Sequence, residues 1–204
     1  SWTAVNNGLA DETTQFINAL TVLSDFGETN VFLGTWGGGV YRTTNNGTNW
    51  NAVNNGLTTH TVLSLAVSGS YLFAGNYNGG AFLTTNNGVN WTAVNNGLTN
   101  QWVYSLDVSH SFSGINIFAG TYYGVFLSTN NGVSWTQRGL NNLVIGELAI
   151  SGNSIFAGTW GGGVFRSTNN GSNWTAVNNG LTELHVLELI VSGTNLFAGT
   201  EGGV

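Results

Sequence analysis

Residues 167–174 read Ser-Thr-Asn-Asn-Gly-Ser-Asn-Trp, and nearly the same octet stands at 43–50 (TTNNGTNW), 84–91 (TTNNGVNW) and 128–135 (STNNGVSW). Each copy is polar and turn-forming, and each closes on the largest apolar side chain. Its glycine recurs at Gly47, Gly88, Gly132 and Gly171. Two further markers keep the same beat. AVNNGL ends at Leu9, Leu57, Leu98 and Leu181, with a degenerate TQRGL ending at Leu140, and an FAGT-like phrase stands at 32–35, 73–76, 118–121, 156–159 and 197–200. Five units of about forty residues have the length of β-propeller blades.

The second unit shows the grammar. HTVLSLAVSG (60–69) is β-branched and ends at a Ser-Gly turn, SYLFAGNY (70–77) follows, and a Gly pair at 79 and 80 leads into AFLTT (81–85). Asn87-Gly88 turns the chain into VNWTAV (89–94). These are four antiparallel strands, A to D, apolar on both faces because each blade lies between two others. The fold class is all-β, a five-bladed β-propeller of four-stranded blades whose last blade is completed by the N-terminal strand. It is expected to form one domain over 1–204, with blades near 10–57, 58–98, 99–140, 141–181, and 182–204 plus 1–9. Trp2 aligns with Trp174, so the chain starts in a D strand. A fifth octet would fall between Val204 and Ser1, and without Met at its start the chain reads as a mature or excised piece.

Composition narrows the function. Only 6% of residues are charged, there is no Lys, and the formal net charge is −6. Arg42, Arg138 and Arg166 cannot neutralise a row of phosphates, which argues against nucleic acid and anionic membranes as partners. No apolar run is long enough to span a bilayer. Cysteine is absent, which excludes disulfides and thiolate chemistry. A surface solvated by Asn, Thr, Ser and Gly points to an extracellular or cell-surface, secreted protein.

The pattern [Ser/Thr]-x-Asn-x-Gly-x-x-Trp resembles the Asp-box, or bacterial neuraminidase repeat, Ser-x-Asp-x-Gly-x-x-Trp. Asn45, Asn86, Asn130 and Asn169 stand where the family has Asp. The whole unit looks like the repeats of secreted bacterial Asp-box propellers. The resemblance implies a box at the C–D turn, away from the usual ligand face. Residue chemistry agrees with a structural role: Asn bonds nearby backbone and tolerates left-handed geometry, Gly supplies positive φ, and Trp50, Trp91, Trp135 and Trp174 fill the space between blades. Calcium would need carboxylates that the boxes lack. Neither a metal nor a cofactor is expected.

Candidate chemistry lies elsewhere. At the B–C hairpins one position reads Trp36, Tyr77, Tyr122, Trp160 and Glu201, four aromatics at Gly-rich tips. Sugars stack on such rings; the alternative is that the rings lie on the neighbouring blade as rim packing. The D–A loops add His60, Trp102 and His185. On strand A, one position reads Ala19, Ser64, Ser105, Glu147 and Glu188, with Asp107 two residues beyond Ser105. Paired carboxylates serve glycoside hydrolysis at suitable spacing, but hydrated acids without a catalytic role are the simpler reading. A sialidase would need converging arginines, which the placement of Arg42, Arg138 and Arg166 does not suggest.

The sequence therefore points to a non-catalytic, multivalent carbohydrate-binding (lectin-like) propeller. A protein-interaction or cell-surface structural scaffold is the alternative, and a glycoside hydrolase ranks third. Partners would be glycans or a surface protein, with no membrane insertion. The chain would be a monomer unless its incomplete blade pairs with another chain.

Overall fold

Two compact units divide the chain, Ser1–Val94 and Asn95–Val204. The computed structural model describes residues 1–9, 14, 16–25, 28–111 and 114–204. The first unit holds two four-stranded sheets: β1 (Ile17–Asp25), β2 (Glu28–Thr35), β3 (Val40–Thr43) and β4 (Asn51–Ala52), then β5 (Val62–Ser68), β6 (Tyr71–Asn76), β7 (Gly80–Thr84) and β8 (Thr92–Ala93). In the second unit the third sheet is β9 (Val103–Ser111), β10 (Gly114–Thr121), β11 (Gly124–Ser128) and β12 (Thr136–Gln137). The fourth is β13 (Ile145–Ser151), β14 (Ser154–Thr159), β15 (Gly163–Ser167) and β16 (Thr175–Ala176). A fifth sheet contains β17 (Val186–Ser192) and β18 (Asn195–Thr200). Strands follow one another in chain order and pair antiparallel, so each sheet is a small meander, the blade of an all-β, propeller-type fold.

Consecutive blades pack through one recurring contact. Phe32 and Val40 of the first sheet meet Val62, Leu72 and Ala74 of the second. Phe118 and Val125 of the third meet Ile145, Leu148 and Ala157 of the fourth. Ala149 and Val164 of the fourth meet Val186 and Leu189 of the fifth. The glycine of the FAGT phrase makes room for this contact. A Cβ on Gly34 would lie 2.6 Å from Val62 Cγ1, on Gly120 2.8 Å from Ile145 Cγ2, and on Gly158 2.7 Å from Val186 Cγ1. In these three pairs the first residue of the following A strand, Val62, Ile145 or Val186, enters that gap.

The octets build identical turns. The Thr43 hydroxyl donates to Asn45 Oδ1 (2.8 Å) and accepts from Gly47 N–H (3.1 Å), while Asn45 Oδ1 accepts from Asn49 N–H (3.0 Å). The same bonds recur around Thr84/Asn86, Ser128/Asn130 and Ser167/Asn169. The left-handed residue is the second asparagine of the pair, Asn46, Asn87, Asn131 or Asn170 at φ 55–56°, followed by the glycine. The first asparagine instead acts through its side chain, and it reaches four residues on.

The closing tryptophan ties each turn to the preceding AVNNGL segment. Trp50 Nε1–H donates to Val5 O (2.8 Å), Trp91 Nε1–H to Val53 O (2.7 Å) and Trp174 Nε1–H to Arg138 O (2.6 Å). The Trp50, Trp91 and Trp135 backbone N–H groups donate to Asn7, Asn55 and Asn96. This explains the glycine of AVNNGL, since a Cβ on Gly56 (φ +92°) would sit 2.1 Å from Trp91 O. Because Trp91 bonds to Asn55 rather than to its own sheet, the fourth strand of that blade shrinks from the expected 89–94 to Thr92–Ala93.

One expectation needs correction. Residues 1–9 form no strand, and the fifth sheet has two strands, so completion of the last blade by the N-terminal strand is not formed among the described residues. In the complete sheets a D strand pairs only with a C strand. The outer strand of the fifth sheet is a B strand, β18, and offers no such partner. Residues 5–9 instead lie against the first box, where Leu9 packs with Leu33 and Trp50.

Trp91→Ala should lower stability by about 3–5 kcal/mol in urea unfolding. Gly56→Ala should cost far more than Gly180→Ala. Both residues sit at positive φ, but among the described residues a Cβ on Gly180 meets nothing within 4 Å.

Candidate functional site

The aromatic hairpin tips do not behave alike. In the first unit the Trp36 N–H donates to Phe16 O (3.0 Å), and the Gly37 and Gly39 N–H groups both donate to His60 O. These bonds pin the tip to the start of the next blade and leave the indole 53% exposed. Trp36 and Tyr77 lie 6.2 Å apart with their planes inclined by only 34°. Phe16 and Asn18 line a small apolar hollow beside Trp36. His60 contributes its carbonyl to this tip, and its side chain is exposed.

In the second unit Tyr122 is held edge-on between Trp102 and Tyr123, each centroid 4.9 Å away. Its hairpin, TYYG, is one glycine shorter than GTWGGG, and the exposed ring there is Tyr123. Tyr122 and Trp102 thus pack against each other at the rim.

Trp160 is different. Its Nε1 lies where a Cβ on Gly146 would be, 2.4 Å from that position, so the ring rests over a bare stretch of β13. The Tyr104 ring lies 5.0 Å away, inclined by 53°, and that of His185 5.6 Å away, inclined by 36°. Backbone bonds fix the geometry: Trp160 pairs with His185 as an isolated bridge, and the Gly161 and Gly163 N–H groups donate to Leu184 O. Glu183 braces the loop by accepting from the Leu184 and His185 N–H groups (2.8 and 2.9 Å). Glu201 extends the row, with its Oε1 3.4 Å from His185 Nδ1. Three residues picked out in the sequence, Trp160, His185 and Glu201, thus come together, and Trp160 remains 40% exposed. Tyr104, Gly146 and Glu183 complete the row. The signal for Gly146 is a glycine inside an A strand at the position where the other blades carry Asn18, Leu63, Tyr104 and Leu187.

Beneath this row the A-strand acids form a second feature. Ser105 Oγ–H donates to Glu147 Oε1 (3.3 Å) and accepts from Leu148 N–H (3.0 Å). Burial pushes the Glu147 carboxyl up to about 8, helped by the negative charge of Glu188 and, less, of Asp107. Burial also raises Asp107 to about 6, against the hydrogen bond from Val108 N–H. Glu147 therefore carries its proton at neutral pH. Among the described residues no group of three or more His, Cys, Asp or Glu is placed to hold a metal ion. The arginines serve their own blades: Arg42 Nε–H donates to Asn30 Oδ1 (2.7 Å) in the first, and Arg166 donates to Ser154 Oγ (2.8 Å) in the fourth.

No protein-family model matches the sequence, and no curated protein matches it. Solved structures share the fold. The extracellular domain of a putative hybrid two-component system from B. thetaiotaomicron superposes with a TM-score of 0.73 at 20% identity, over 92% of this chain and 26% of that one. PorZ, a bacterial surface component of the type-IX secretion system of Porphyromonas gingivalis, gives 0.70 at 13% identity, over 99% and 33%. The GH74 xyloglucanase from Xanthomonas campestris gives 0.64 at 18% identity, over 86% and 32%. The chain thus spans about a quarter to a third of the length of these structures, and at such identities the likeness defines the β-propeller fold. No helix is long and apolar enough to cross a membrane among the described residues.

The sign of the Glu147 shift fixes a pH dependence. Between the ordinary value of 4.5 and about 8, the folded state holds a proton that the unfolded chain has released. Stability of the second unit should therefore fall as pH rises through that window. Urea midpoints measured near pH 4.5 and above about pH 8 should differ in the wild type, and the difference should shrink in Glu147→Gln to the part that Asp107, raised to about 6, contributes.

Proposed function

We propose that this chain is a non-catalytic binding module whose aromatic hairpin tips take carbohydrate. The observation that carries the reading is the Tyr104–Trp160–His185 cluster, in which a half-exposed indole sits against Gly146 and His185 lies beside the exposed carboxylate of Glu201. An indole face takes the C–H face of a pyranose, while Glu201 and His185 would accept and donate hydrogen bonds at its hydroxyls. Ring spacings of 5.0 and 5.6 Å are comparable to the length of one sugar ring, so successive units of a chain would meet successive rings. Trp36 and Tyr77 offer a second platform in the first unit. Each platform would bind weakly, and two on one chain would raise the avidity for a polysaccharide. Likeness to a xyloglucanase and to surface and extracellular propellers supports a polymer-binding or scaffold role without choosing the ligand.

A hydrolase reading draws on a separate feature, the Glu147 carboxyl that burial and the charge of Glu188 push up to about 8. A general acid must be protonated at working pH, and that shift favours the protonated form.

Titration of intrinsic tryptophan fluorescence with xyloglucan oligosaccharides and a panel of other soluble glycans tests both. Binding that Trp160→Ala weakens about tenfold or more, with the fold retained, supports the lectin reading. A folded protein that responds to no glycan sinks it. Release of reducing ends, abolished in Glu147→Gln, would replace binding with catalysis.

A further inference from the structure

The Trp160 cluster of the second unit is also sorted by charge. That unit carries the acids Asp107, Glu147, Glu183, Glu188 and Glu201 against two fixed cations, Arg138 and Arg166. Two of the acids stand at the cluster itself. Glu201 Oε1 lies 3.4 Å from His185 Nδ1, and its side chain is 60% exposed. Glu183 Oε1 accepts from the Leu184 and His185 N–H groups. A Cβ on Gly202 would lie 3.3 Å from Glu183 Cβ, so Glu183 and Glu201 stand at one hairpin tip. That tip is closed as the Trp160 tip is. The Thr200 hydroxyl accepts from Gly202 N–H (3.2 Å) and donates to Gly203 O (2.9 Å), as Thr159 does with Gly162 and Gly163 (3.0 and 2.8 Å).

Both arginines are held away from the tips. Arg166 donates to Ser154 Oγ at the start of β14, and its guanidinium lies over Phe156. Trp160 follows the far end of that six-residue strand, about 20 Å along it. Arg138 lies against Gly171 in the fourth octet, where its carbonyl accepts from the Trp174 indole. The length of β15 separates that turn from the hairpin at 160–163.

A uronate or a sulfated sugar on Trp160 would therefore face carboxylates with no guanidinium to offset them. A sugar carrying an ammonium group gains twice there. Indole and phenol faces attract a cation, and Glu201 and Glu183 supply charged acceptors. The rings come from three successive blades, Tyr104, Trp160 and His185. A chain of amino sugars presents an amine at each unit along that line, whereas a lysine side chain presents one point. We propose, resting on the carbohydrate reading of this platform, that it selects amino-sugar chains, and that Glu201 sets the preference over neutral and anionic glycans.

Calorimetric titration of the 204-residue chain with glucosamine, N-acetylglucosamine and galacturonate oligomers of equal length tests this. In mildly acidic buffer the first carry protonated amines, and the second differ from them only in acetylation. The expected result is about tenfold tighter binding of the glucosamine chain. Glu201→Gln should remove most of that margin and leave N-acetylglucosamine binding unchanged. Trp160→Ala, which keeps the net charge, should weaken both. Equal affinity for the amino and acetylated chains overturns the inference, and where Trp160→Ala weakens both alike the carbohydrate reading survives. Galacturonate bound as tightly as glucosamine overturns it too. So does glucosamine binding that Trp160→Ala leaves intact, or an oligolysine bound as tightly, because either reports attraction to the net charge of −6 alone. Failure to bind any of the three chains also overturns it, while a response to xyloglucan oligosaccharides would still mark the platform as a carbohydrate site.

Discussion

The indole of the box tryptophan reaches across to a carbonyl of the preceding segment, and the rest of the architecture depends on that bond. A four-stranded blade of this size has two apolar faces and cannot bury them alone. Trp91 joins two neighbours twice, through its side chain to Val53 and through its backbone to Asn55. A buried indole N–H without a partner would be costly, so the bond fixes the ring's orientation as well as its place. The Thr-x-Asn-Asn-Gly turn exists to aim that ring. Its hydroxyl and amide satisfy the turn internally, leaving the tryptophan to make the contact between blades.

Much of this was legible in the sequence, but partners were not. The four octets, the FAGT phrase and AVNNGL gave blade count, strand order and turn positions. They could not say why Gly34 or Gly56 had to be glycine, because the atoms that exclude a Cβ belong to Val62 and Trp91 in the following blade. Local chemistry likewise assigned left-handed geometry to asparagine, while the division of labour between Asn45 and Asn46 appeared only in three dimensions. The short D strands have the same origin, since a strand's length depends on which neighbour competes for its backbone.

The hairpin tips show how one sequence position yields different chemistry. Trp160 can come close to β13 because Gly146 leaves the strand bare; Tyr122, on a tighter hairpin, meets Trp102 and Tyr123 at nearly right angles. Alignment places both in one column, and only packing separates a platform from a rim. Glu147 is a similar case. Its column reads Ala, Ser, Ser, Glu, Glu, and burial, helped by the charge of Glu188, pushes its carboxyl up to about 8.

The contacts between blades have a consequence for cooperativity. In a linear series of blades that touch only their neighbours, stability is a sum of intrinsic blade terms and interface terms. In the second unit the fourth blade carries two such interfaces, through Ile145 and Leu148 to the third blade and through Ala149 and Val164 to the fifth. Both draw on β13 and its own sheet, so a change at one is felt at the other, and amide protection should be highest in that blade.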